Sequence, residues 1–127
     1  MGKYGDAAVL ATQMMLDGRA ASPLDAWRMA VQLVFPRSLS SQEKGCPKCA
    51  YLGLCEDGLV NGVESGSYTG SVDNKRYAVE AVALLRWDPE LADAPELLWA
   101  CVTDDSGKTH NGQMDVVIAL WQADHIV

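Results

Sequence analysis

Residues 21–36 read ASPLDAWRMAVQLVFP, and their order dictates a helix. The Ser22 hydroxyl can accept a hydrogen bond from a first-turn N–H. Pro23 fits the first helical position, where its missing N–H costs nothing, and Asp25 suits the positive end of the helix dipole. Trp27, Ala30, Val31 and Val34 then recur every three or four residues, as the buried stripe of an amphipathic helix does. Pro36 closes the element just after Phe35.

The same grammar extends in both directions. Upstream, Tyr4, Ala8, Ala11, Met14 and Met15 predict a helix over 3–17 that Gly18 terminates. Downstream, residues 37–45 are polar and predict a loop with a turn of helix. Cys46 as cap and Pro47 at the first position then predict a helix to Asp57, with Gly58 as its stop. From 59 to 72 the chain mixes Gly62, Gly66 and Gly70 with Ser65, Ser67, Thr69 and Ser71. This predicts an irregular connection with a short hairpin around Asn61-Gly62. Asp73 is expected to cap a helix carrying Tyr77, Ala78, Ala81, Val82 and Leu85 as far as Trp87, ended by Asp88-Pro89. Ala94-Pro95 opens a shorter helix with Leu97, Leu98, Cys101 and Val102, and residues 103–108 read as an acidic loop. In the last helix, capped by Asn111 or its neighbour, Met114, Val117, Ile118 and Trp121 share a face that Val116 and Leu120 widen. A helix that apolar belongs in the core.

The expected fold is therefore all-α: one compact single-domain bundle of about six helices over residues 1–127, with a Gly/Ser-rich central connection. No repeat or linker divides it. A chain of 127 residues buries about two-thirds of its unfolded surface and needs no disulfide or metal to fold.

Charge narrows the function. The formal net charge is −7, unevenly spread. Residues 1–63 hold six Lys/Arg against six Asp/Glu, whereas residues 64–127 hold four against eleven. Asp88, Glu90, Asp93, Glu96, Asp104 and Asp105 follow one another with no cation between them. Such a field repels phosphate backbones, which argues against nucleic acid, and favours a basic protein partner. Its plainer use is to keep a surface solvated. The longest apolar runs fall well short of the roughly 20 residues that span a bilayer, so no membrane association is expected. The N-terminal residues lack the pattern of a secretory signal, and the expected location is the cytoplasm, where Cys46, Cys49, Cys55 and Cys101 would remain thiols.

Two clusters invite chemistry. Cys46-Pro47-Lys48-Cys49 has the spacing of a metal knuckle or redox pair, with Cys55 following. On a helix, however, Cys55 lies about 240° round from Cys49 and about half a turn from Cys46, so the three thiols diverge. Cys55 reads better as a small core residue beside Tyr51 and Leu54. Cys46 and Cys49 at the positive end of a helix would favour a thiolate. The second cluster, His110, Asn111, Gln113 and Asp115, is polar enough to face a ligand, with His110 as a base. The same residues also suffice to cap and charge a helix start. His125 is expected at the surface. No phosphate loop, nucleophile elbow or zinc-protease motif occurs, so neither a catalytic residue nor a cofactor is indicated.

The segments EKGCPKCAYLGLCEDGLV at 43–60 and HNGQMDVVIALW at 110–121 resemble signatures of a family of short bacterial proteins of unknown function, and ASPLDAW and NKRYAVEAVALL fit the same pattern. The resemblance implies a stand-alone bacterial cytoplasmic domain and assigns no functional residue. The leading expectation is a small inhibitor or adaptor whose acidic second half engages a basic protein. The alternative is a thiol-based metal-binding or redox protein using Cys46 and Cys49.

Overall fold

A computed structural model describes residues 2–103 and 108–127. Its helices are α1 (Lys3–Leu16), α2 (Pro23–Val34), α3 (Leu39–Gln42), α4 (Gly45–Glu56), α5 (Val72–Trp87), α6 (Pro95–Val102) and α7 (Gln113–Gln122), with a 3-10 helix at Pro89–Asp93 between α5 and α6. The all-α expectation holds. The chain has six helices of two turns or more among the described residues, and α3 is the predicted turn of helix.

α2 begins as its sequence dictates: the Asp25 N–H donates to Ser22 Oγ at 3.2 Å. α1 and α4 stop at Gly18 and Gly58, whose φ of 71° and 69° turn the chain out of the helix. In each stop the next residue reaches back five positions to a helix carbonyl, Arg19 to Met14 and Leu59 to Leu54.

α7 is the central element. Met114, Val116, Val117, Ile118 and Leu120 are all fully buried, and α1, α4, α5 and α6 pack against it. α1 approaches most closely at Gly5. A Cβ there would lie 2.7 Å from both the Asp115 carbonyl oxygen and the Ala119 methyl group, so no larger residue fits without separating the two helices. Around α7, one continuous core collects Ala8 and Met14 from α1, Trp27 and Val31 from α2, Tyr51 and Leu54 from α4, and Tyr77 and Leu85 from α5. A buried hydroxyl relay within it is ordered. Thr12 Oγ1 gives its proton to the Ala8 carbonyl at 2.9 Å, so Tyr51 must be the donor in the 3.1 Å contact with Thr12.

Four expectations about boundaries need correction. α4 starts at Gly45, with Lys44 at the cap position, so Cys46 and Pro47 are its second and third residues. Proline is admissible there because the first-turn N–H groups have no helical acceptor in any case. α5 starts at Val72 with Ser71 at the cap position, which leaves Asp73 inside the first turn. Asn61-Gly62 forms no hairpin. Val60 instead pairs antiparallel with Ile126, supported by Asn61 N–H to the His125 carbonyl at 2.7 Å and Val127 N–H to the Leu59 carbonyl at 2.9 Å. His125, expected on the surface, is therefore half-buried in that pairing. Arg86 also donates to the Val127 carbonyl.

Candidate functional site

The polar cluster at the start of α7 is knitted into the fold. Gly112 packs against Tyr4 and Pro47, so this end of α7 lies against the starts of α1 and α4. The Met114 N–H donates to His110 Nε2 at 3.0 Å. The imidazole therefore caps α7 from two residues before the cap position and must carry its own proton on Nδ1. Burial, with a smaller push from Lys44, holds the His110 pKa below its ordinary value against the opposing pull of Asp115, which keeps the ring in the neutral form the cap needs. Gln113 is fully buried. Its Oε1 accepts from the Asn111 N–H at 2.7 Å and its Nε2 donates to Asn74 Oδ1 at 3.0 Å, tying the start of α7 to the start of α5. The chain enters this cap over an aromatic step. Trp99 Nε1 donates to the Lys108 carbonyl at 3.1 Å, Trp99 meets His110 at 5.4 Å between ring centroids, and Lys108 Nζ donates to Tyr77 Oη at 2.9 Å. His110 Nε2 and both the Oε1 and Nε2 of Gln113 are thus engaged by the fold.

The thiols separate as the helical geometry requires. Cys55 is buried beside Tyr51, and burial raises its pKa to about 12. That thiol is inert at neutral pH. Cys46 and Cys49 are half-buried in the first turns of α4, and Cys101 is exposed on α6. Among the described residues no three His, Cys, Asp or Glu side chains converge as metal ligands.

One polar network has no motif to announce it. Glu56, in the last turn of α4, accepts at Oε1 from the Tyr68 and Thr69 N–H groups at 2.7 and 2.8 Å, and at Oε2 from Lys75 Nζ at 2.9 Å. The Thr69 N–H, Lys75 and the Tyr68 N–H together hold its pKa down to about 2. Lys75 also pairs with Asp57 at 2.9 Å. The Gly/Ser connection is thereby pinned to α4 through its own backbone. Gly53 makes the pairing reachable, since a Cβ there would stand 2.7 Å from the Lys75 Cα. A cleft of about 360 Å³ opens beside this network, but the charges on its wall already neutralise one another.

The acidic segment is the opposite case. Asp88 caps the 3-10 helix by accepting from the Glu90 N–H at 3.2 Å. Glu90, Asp93 and Glu96 are exposed and form no ion pair among the described residues. Asp104 and Asp105 lie outside the described residues. At the two ends of this stretch stand Trp87, 82% exposed, and Leu97, 55% exposed. The sequence marks Trp87 as a helix terminus and does not single it out as a surface residue. The missed signal is its phase: two residues past Leu85 is about 200° round the helix, away from the buried stripe.

Residues 1–127 match DUF6979, a family of unknown function. The chain belongs to that family. No curated protein and no solved structure matches it. The assignment bears out the expected membership of a family of unknown function and brings no activity with it. No helix among the described residues is long and apolar enough to cross a membrane.

Proposed function

We propose that this member of DUF6979 is a protein-binding module, an inhibitor or adaptor, that engages a basic protein partner through the segment from Trp87 to Leu97. One observation carries the reading. A tryptophan at 82% exposure leaves a large apolar surface in water, and it stands beside Asp88 and beside Glu90, Asp93 and Glu96, which form no ion pair among the described residues. Exposed tryptophans are the side chains most often found as energetic anchors in interfaces, and a surrounding ring of one charge selects the partner and speeds its approach. The same proposal places the protein in a bacterial cytoplasm, the reducing compartment in which its four thiols would persist.

Affinity capture with the intact protein tests this when run at low and high salt alongside Trp87→Ala and the triple variant Glu90→Gln/Asp93→Asn/Glu96→Gln. Asp88 is left in place because it caps the 3-10 helix. The expected result is a basic protein held at low salt and released at high salt. Binding should weaken by about 2 kcal/mol, roughly thirtyfold, in Trp87→Ala. A partner indifferent to salt and to both variants, or no partner at all, overturns the reading.

A further inference from the structure

Trp27 is an exception in a core whose buried polar atoms otherwise find partners. Its indole is 1% exposed and stacks on Tyr51 at 5.4 Å. Its Nε1 is the one buried side-chain nitrogen or oxygen without a protein hydrogen-bond partner among the described residues. An unmet buried donor costs about 1–3 kcal/mol, and a phenylalanine would fill much of the same space without that cost. Trp27 also lines a cleft of about 320 Å³ between α2, α3 and α4, within the size range of small-molecule sites. Arg28 and Lys48 share that cleft, and neither is in an ion pair among the described residues. Val31 and Leu39 supply apolar wall, and Glu43 supplies one negative charge.

From the donor, the two unspent cations and the apolar wall together, we infer that this cleft binds a small organic monocarboxylate. The Nε1 itself carries less than 1 Å² of accessible surface, so the cleft wall yields for a carboxylate oxygen to accept its N–H. Arg28 and Lys48 balance the charge, and the apolar body rests on Val31 and Leu39. Glu43 sets the ligand charge, because a second carboxylate on the ligand would meet it with like sign. This site lies on α2–α4 and is independent of the acidic segment proposed as the partner surface.

The test is titration of the isotope-labelled full chain with benzoate and hexanoate, using benzamide, hexanamide and succinate for comparison. The observable is the indole N–H resonance of Trp27, identified by its loss in Trp27→Phe. The expected result is a saturable downfield shift at millimolar acid, with affinity about tenfold weaker for the amides, for succinate and in the Arg28→Gln/Lys48→Gln variant. Where Trp27→Phe fails to fold, the resonance is identified instead by its through-space contact with the Tyr51 ring, and the double variant, which alters cations outside the core, keeps the test valid. Failure of both acids to move the resonance overturns the inference, as does equal affinity for acids and amides or unchanged affinity in the double variant. A Trp27 N–H that exchanges with a long-lived water and ignores both acids assigns the donor to solvent and overturns it as well.

Discussion

Glu56 and Glu90 are the same side chain under opposite constraints. Glu56 takes three hydrogen bonds from three positions of the chain, while Glu90 stands in water one turn past a helix end with no ion pair among the described residues. The first carboxylate is an architectural part: it fixes where the Gly/Ser connection lies and how α5 begins. The second contributes nothing visible to the fold. The contrast teaches how to read the net charge of −7. Only acids free of structural duty are available to a partner, and in the described part of the acidic run those are Glu90, Asp93 and Glu96.

The sharpest way to break the comparison is at Gly53. Gly53→Ala puts a methyl group against the Lys75 backbone and should cost about 3 kcal/mol of stability in urea unfolding, near the top of the range for overpacking. A loss under about 1 kcal/mol would show that α4 and α5 separate cheaply and that Glu56 is not held by their close approach.

Next in size, Glu56→Ala leaves the Tyr68 and Thr69 N–H groups without their acceptor and should cost about 2 kcal/mol. Its pH signature follows from the depressed pKa of about 2. The folded state binds this proton less readily than the unfolded chain does. The contribution of Glu56 is thus complete above the ordinary carboxyl range near 4.5 and fades as the pH falls toward 2. Thermal melts between those limits should fall more steeply for the wild type than for Glu56→Ala, and parallel slopes would contradict the assignment.

His110 gives an intermediate case. His110→Ala removes the cap on the Met114 N–H and should cost about 1 kcal/mol. Because burial lowers its pKa, His110 stabilises fully above the ordinary imidazole value of 6.5, and that contribution declines as the pH falls below it. The melting temperature should therefore drop between neutral and mildly acidic pH in the wild type and lose that component in the variant.

The smallest effect belongs to the other side of the comparison. Glu90→Gln/Asp93→Asn/Glu96→Gln should leave stability within about 0.5 kcal/mol, in contrast to its predicted effect on partner capture. A larger destabilisation would mean these acids also serve the fold.

What was legible in the sequence is what local chemistry encodes. The cap at Ser22, the stops at Gly18 and Gly58 and the apolar stripe of α7 each lie within one or two turns of their cause, and all were readable. The divergence of Cys46, Cys49 and Cys55 followed from helical angle alone. Contacts across long separations were not readable. Asn61-Gly62 carries a hairpin signal, yet its neighbour Val60 pairs with Ile126, a partner no local pattern names. Glu56 looks like any acid near a helix end until residues 68, 69 and 75 fold back onto it. The start of α4 was misplaced by two residues because proline is tolerated at any first-turn position, so Pro47 marks a neighbourhood and not a boundary. The cluster at His110 was visible as polar residues, but whether they serve a ligand or a helix end depends on where Asn74 and Trp99 arrive.

The packing of Gly5 against Asp115 and Ala119 also orders events in time. α1 leaves the ribosome before α7, and the surface it must cover does not exist until α7 is made about 100 residues later, roughly 5–20 s at ordinary rates of synthesis. During that interval the face of α1 around Gly5 lacks the α7 surface that covers it. The nascent chain can therefore form the α1–α2 hairpin early, while its core closes only once α7 has emerged.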